Sequence, residues 1–161
     1  MLKWVAVAIS IALLTGCATA LTSHNPTGAA LSELSIVAVE DKGVWRGDYE
    51  IQASIARAFD SSGAVVIRPD MFTNQRGDFR LQQGEYQFIV RCETRGVYND
   101  HHIDIELKAR ERYVAYCLGE YKDWLIGDKI TGMLGFLSNV KEVQEDKVRN
   151  QAIVDEVVDA E

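Results

Sequence analysis

The sequence predicts a mainly β fold, a small antiparallel β-sandwich with Greek-key strand order and a C-terminal α-helical extension. Three observations predict it. Short runs with apolar residues at every second position recur between Leu34 and Cys117. Turn residues such as Asp60-Ser61-Ser62-Gly63 punctuate those runs. After Cys117 the apolar spacing changes to the 3.6-residue period of a helix.

Residues 1–16 carry one basic residue, Lys3, no acid, and an apolar run from Trp4 to Leu14. That run is about half the roughly 20 residues a spanning helix needs. A basic start, a short apolar middle and a small-residue exit are the parts of a secretory signal peptide. Leu14-Thr15-Gly16-Cys17 resembles a bacterial lipobox, in which cleavage precedes a cysteine that then carries acyl chains. The resemblance implies lipidation at Cys17, palmitate-type acylation and a membrane partner reached through that lipid. Two or more chains anchor stably, at roughly 0.8 kcal/mol per buried methylene. Ala18, by resemblance to enterobacterial lipoproteins, favours the outer membrane, with the domain facing the periplasm. Cleavage removes Lys3 and takes the net charge from −7 to −8. An acidic chain argues against nucleic acid and against electrostatic docking on anionic lipid.

The expected boundaries are a signal peptide at 1–16, the lipidated cysteine and a flexible tether at 17–33, a β-sandwich at 34–120 and a helical extension at 121–161. The tether, small and polar and containing Pro26, could reach roughly 50 Å when extended. The strand region opens with "LSIVAVE", which puts Leu34, Ile36 and Ala38 on one face. "YEIQASIARAF" alternates Ile51, Ala53 and Ile55 and resumes at Phe59, with Arg57 breaking the pattern. After the "DSSG" turn, "AVVIR" reads as a buried strand. "GEYQFIVRC" places Tyr86, Phe88, Val90 and Cys92 on one face. "HIDIELKA" sends Ile103, Ile105 and Leu107 inward and His102, Asp104, Glu106 and Lys108 outward. "RYVAYC" closes the series with Tyr113, Ala115 and Cys117 in phase. About six or seven strands are expected.

With Cys17 assigned to lipid, Cys92 and Cys117 form an even pair in an oxidising compartment and read as a disulfide, the alternative being two buried thiols. The tight link near Arg110-Glu111 predicts a hairpin between "HIDIELKA" and "RYVAYC". If "GEYQFIVRC" were simply the third strand of that meander, the cysteines would lie about 9.6 Å apart, two strand spacings. A disulfide needs Cα atoms within about 7 Å. The bridge therefore requires facing sheets or parallel neighbours.

"LQQGEYQFIVRC" followed by "HIDIELKARERYVAYC" resembles the end of small immunoglobulin-like or PEGA-type domains of bacterial envelope lipoproteins. Their pattern is L-x-x-G-x-Y-x-apolar-x-V, then an apolar strand, a tight turn and Y-x-apolar. The likeness covers Leu81 to Cys117 and departs from the pattern at Arg110-Glu111, where glycine is common. It implies an immunoglobulin-like sandwich and a non-enzymatic envelope module with a protein partner.

Beyond Cys117, Ile126, Ile130, Met133, Leu134, Leu137 and Val140 follow helical spacing, with Asp123 as a cap. Gly127, Gly132 and Gly135 each cost such a helix roughly 1 kcal/mol against alanine. The stripe either completes the core, docks a partner, or lies in a membrane interface, where Asp123 and Asp128 would oppose it. Lys141 to Glu161, with seven acids and three bases, is either a partly formed helix or disordered. Its deletion is expected to cost no more than about 1 kcal/mol.

The most enzyme-like feature is His102, Asp104 and Glu106, which share a strand face about 6.6 Å apart in succession. They are the candidate ligands of the alternative reading, an envelope enzyme or metal-binding protein. The competing reading is a solvated strand face, and Lys108 continues it. No G-x-S-x-G, P-loop, G-x-G-x-x-G or H-E-x-x-H occurs. No catalytic residue and no cofactor is expected.

Overall fold

The computed structural model describes residues 22–40, 43–46, 49–69, 78–122 and 129–159. They form two facing sheets and one helix, a mainly β sandwich. The first sheet comprises β1 (Ser23–His24), β6 (Phe79–Leu81), β2 (Ser35–Val39), β9 (Arg112–Lys122) and β10 (Lys129–Asn139), in that spatial order. The second runs β3 (Val44–Arg46), β4 (Tyr49–Asp60), β7 (Gly84–Thr94) and β8 (Val97–Leu107), with β5 (Val65–Ile67) also paired to β4. The helix α1 spans Val143–Asp159. Ten strands stand among the described residues, because short edge strands add to the longer runs that alternation reveals.

The alternating residues of β7 meet those of β9 across the sandwich. Phe88, Val90 and Cys92 are fully buried, and Ala115 and Cys117 face them. The expected "DSSG" turn is held by Asp60, whose Oδ1 accepts from the Ser62 and Ala64 amides, and Gly63 supplies φ +81°. Arg95 and Gly96, with φ of 44° and 79°, make the two-residue type I′ link that a β7–β8 hairpin favours. Leu81, Gly84 and Tyr86 build a corner in which the Tyr86 hydroxyl donates to the Gln82 carbonyl at 2.8 Å. The expected disulfide joins Cys92 to Cys117 with Cα atoms 5.8 Å apart.

Several expectations are corrected. β8 and β9 do not form a hairpin; residues 108–111 carry the chain from the second sheet to the first. Arg110 adopts φ +64°, and the link is pinned from three sides. The Lys108 amide donates to the Tyr113 hydroxyl, the Glu111 carboxylate accepts from Tyr113 and Asn139, and Arg110 pairs with Glu33. A short link therefore turns out of the sheet plane, which resolves the conflict with the disulfide: Cys92 and Cys117 stand on facing sheets.

The stripe read as a helix from 124 to 140 is instead, from Lys129 to Asn139, the edge strand β10, antiparallel to β9. The helical extension expected over 121–161 begins only at Val143. Met133 and Leu137 face the core, while Leu134 and Phe136 face the other side. A strand covered on both faces loses its two-residue alternation, and the union of its two apolar faces imitates a helical stripe. Asp123, Trp124, Ile126, Gly127 and Asp128 lie outside the described residues.

Nor is the segment from Thr22 to Glu33 a free tether. Ser23–His24 pairs in parallel with Arg80–Leu81, and Asn25 closes a turn through hydrogen bonds to both the amide and the carbonyl of Ala29. In β2 it is Val37 and Val39 that enter the core, not the Ile36 and Ala38 phase. In β4 a bulge between Ile55 and Arg57 shifts the phase, so Ala58 is buried and Phe59 turns to the outer face. The break seen at Arg57 marks that bulge. The lipobox, Cys17 and the signal peptide lie outside the described residues.

The C-terminal tail forms helix α1, which lies on the outer face of β9 and β10. Its inner stripe is Asp146, Asn150 and Val154, four residues apart and all buried. Val154 packs with Tyr116 and Leu118, bordered by Val114, Leu134, Phe136 and Val143. Asn150 donates to the Tyr116 hydroxyl at 3.0 Å, and that hydroxyl also meets Ser138 Oγ at 3.2 Å. Lys147 pairs with Glu40 and stands 5.2 Å over the Tyr116 ring. Among the described residues no helix is long and apolar enough to cross a membrane.

Candidate functional site

Among the described residues, only the first sheet is roofed by a helix. No described residue covers the outer face of the second in that way, and on this face, carried by β4, β7 and β8, lies the sequence-predicted polar stripe. His102, Asp104 and Glu106 are all exposed, as alternation predicts, while Ile103 and Ile105 are half-buried against the core. The register sets His102 opposite Ile89, Asp104 opposite Gln87 and Glu106 opposite Glu85.

The three side chains do not converge. Gln87 separates two of them: its Nε2 donates to Asp104 Oδ1 at 2.9 Å, and its Oε1 lies 3.5 Å from His102 Nδ1. Among the described residues, no group of three His, Cys, Asp or Glu is placed to hold a metal ion. The stripe is a ladder of cross-strand polar pairs, and the three do not make a metal centre.

Farther along the same face Arg91 grips Asp100 through two parallel hydrogen bonds of 2.7 and 2.8 Å, and its guanidinium stacks 4.2 Å over Tyr98. The hydrogen bond from Arg91 holds the Asp100 carboxyl below the ordinary carboxylate range. Both side chains are about a third exposed, at 31% and 33%, so solvent screens most of the attraction.

At the opposite end of this face a shallow groove of about 620 Å³ opens between the β4–β5 turn and the β7–β8 pair. Phe59 turns its ring outward here, and Tyr86 and Ile105, whose side chains belong to the inward phase, border the groove as well. Asp60, Glu85, Asp104 and Glu106 supply its charge, and among the described residues no lysine or arginine lines it. Burial raises the Tyr86 phenol above its ordinary value, and the neighbouring Asp60 adds to that rise. The Asp60 carboxyl is lowered by its own turn, chiefly by the Ser62 hydroxyl.

Comparison with protein-family models, with curated proteins and with solved structures found no match. The site therefore rests on its own geometry. Of the expected residues it brings Asp104 and Glu106 into the groove and leaves His102 beside it. Sequence reading missed Phe59, Asp60 and Glu85. The signal for Phe59 was the interrupted alternation at Arg57: a phase shift there turns the next aromatic outward. Nothing in the order of residues announced that the Asp60 turn would stand beside β7 and β8.

Cys92 and Cys117 lie on the inner side of the same sandwich, stapling β7 to β9 behind this face. The bridge closes a 25-residue separation, which in the chain-entropy model contributes roughly 3 to 4 kcal/mol. It keeps the groove-bearing sheet in fixed relation to its partner sheet.

Proposed function

We propose that the chain is an outer-membrane lipoprotein, anchored at Cys17 and facing the periplasm, with a non-enzymatic, protein-binding role in an envelope assembly. The reading of the anchor is supported by Leu14-Thr15-Gly16-Cys17 after a short apolar run. The binding role is carried by one observation. Among the described residues, the second sheet presents an uncovered face whose groove sets the Phe59 ring beside four carboxylates, with no lysine or arginine in its lining. Such a surface suits a basic, partly apolar segment of another protein, because charge complementarity steers and orients the encounter.

The anchor is tested by intact mass spectrometry of the protein extracted from membranes. Acyl mass at Cys17 is expected, and its absence would remove the lipoprotein reading. The binding face is tested by photocrosslinking from position 85 or 104 in intact envelopes, beside the double charge reversal Asp104→Lys, Glu106→Lys. A discrete crosslinked partner that the reversal abolishes is expected. Recovery unchanged by the reversal, or crosslinks obtained only from the α1 surface at position 148, would refute this face as the binding site.

A further inference from the structure

β8 and β10 are the terminal strands of their sheets, and they lie against each other along one open side of the sandwich. No backbone ladder joins them, so side chains must close that seam. His101 is one of them. It sits on β8 opposite Val90, on the inward face that also carries Ile103 and Ile105. Its ring hydrogen-bonds the backbone of Met133 on β10. Among the described residues the buried Nε2 has no partner, so Nδ1–H donates that bond to the Met133 carbonyl. β10 passes close at this point: a Cβ on Gly135 would stand 2.9 Å from Val90 and 3.3 Å from the Cys92 sulfur.

The neutral imidazole suits this position and the imidazolium does not. Protonation adds a second N–H at Nε2, where no acceptor stands, and places a charge among Val90, Ile103 and Met133. The surrounding groups offer little compensation. On β8, Asp100 and His102 flank His101 but project to the outer face, where Asp100 is held by Arg91. On β7, Arg91 and Glu93 belong to that outer face too, and inward Cys92 is oxidised. On β10, none of residues 132–139 titrates. On β9, alternation from Cys117 and Gly119 puts Glu120 on the opposite side.

We propose that His101 is a proton-sensitive latch across the open edge of the sandwich: neutral, it ties β8 to β10, and protonated, it releases them. The direction of its titration agrees. Burial lowers the imidazole below its ordinary value, and the Met133 carbonyl and Asp100 only partly oppose that. A histidine lowered in the folded state contributes stability that is complete above its unfolded value, about 6.5. That stability is lost as pH falls through 6.5 toward the folded value. What release exposes is a pair of free strand edges, the element that other chains add strands to.

The test is amide hydrogen exchange of the full, disulfide-intact chain between pH 7.5 and 5, corrected for intrinsic rates, with ring titration of His101 by NMR. Exchange in β8 and β10 should accelerate at least tenfold more than in β4 and β7, with a midpoint matching the His101 ring. His101→Gln, which hydrogen-bonds without titrating, should abolish the difference, whereas His102→Gln should retain it. A response that survives His101→Gln would overturn the proposal. So, in the wild-type chain alone, would a ring midpoint that does not coincide with the opening of the seam.

Discussion

The two sheets bury their inner faces against each other but treat their outer faces differently. The first lies under α1, so β9 and β10 carry apolar residues on both sides: Tyr113, Ala115, Met133 and Leu137 inward, Tyr116, Leu118, Leu134 and Phe136 outward. The second has no such cover among the described residues, and β7 and β8 alternate cleanly, with Phe88 and Val90 inside and Gln87 and Arg91 outside. One sheet is thus the middle of a three-layer stack, the other an outer wall. The covered face has spent its surface on stability, and the proposed recognition falls to the other.

The sharpest way to break this comparison is to remove the cover. Deleting residues 141–161 exposes Tyr116, Leu118, Leu134 and Phe136 and strands the Tyr116 hydroxyl without Asn150. The expected loss is about 3 kcal/mol or more, combining a buried valine with a broken buried polar network. That exceeds the 1 kcal/mol limit expected from the sequence, because the tail is a packed layer. Urea unfolding and dye binding to the uncovered face measure it; an unchanged midpoint would mean that α1 rests on the sheet without supporting it.

Uncoupling the two sheets should come next in size. Replacing Cys92 and Cys117 by alanine is expected to lower stability by roughly 3 kcal/mol. Reductant should mimic the double variant in the wild-type chain and leave the variant itself unaffected. Two alkylatable thiols in the denatured, unreduced protein would dismiss the bridge.

Gly135→Ala distinguishes strand from helix by sign. In a helix the change would gain about 1 kcal/mol. In β10 the new methyl would stand 2.9 Å from Val90 Cγ1 and 3.2 Å from its Cβ, so a loss of about 1–3 kcal/mol is expected from overpacking. Thermal unfolding decides between them.

The smallest effect belongs to the bare wall. Arg91→Gln frees Asp100, and because the pair is a third exposed, the cost at neutral pH should stay below about 1 kcal/mol. The carboxyl is lowered in the folded state, so the pair's contribution is present above the ordinary aspartate range and is lost as pH falls through its folded value. Stability curves between pH 5 and 2 should therefore converge for variant and wild type at the acidic end. Curves that stay parallel would show that the pair does not couple to folding.

The same contrast explains what could be read beforehand. β7, β8 and the inward phase of β9 were legible, because one wet face and one dry face write a two-residue period into the chain. β10 was not, since a strand dry on both sides has no such period; its glycines, poor for a helix, were the better clue. α1 was obscured for the reverse reason. Its buried stripe is two parts polar, Asp146 and Asn150, to one part Val154, while Val148 and Ile153 are exposed. The disulfide was legible through the shared phase of its cysteines, and it ruled out a flat meander. The sheet-to-sheet crossing at Arg110 was not, since a four-residue link reads the same in a hairpin. At the groove, Asp104 and Glu106 followed from alternation, but their neighbours came from a bulge and a distant turn.

The fastening of β1 to β6 changes what an anchor at Cys17 would mean. Thr22, where the described residues begin, accepts through its carbonyl from the Arg80 amide at 3.2 Å, so only residues 18–21 would stand between a lipid at Cys17 and this fastening. Fully stretched, they reach about 13 Å, less than the diameter of a domain this size. A leash shorter than the body it holds does not let that body tumble. The sandwich would stand on the bilayer with its β1–β6 margin downward, and its encounters would become those of a surface. A partner fixed in the same leaflet would meet it already oriented, whereas one diffusing freely would find only the faces turned away from the lipid.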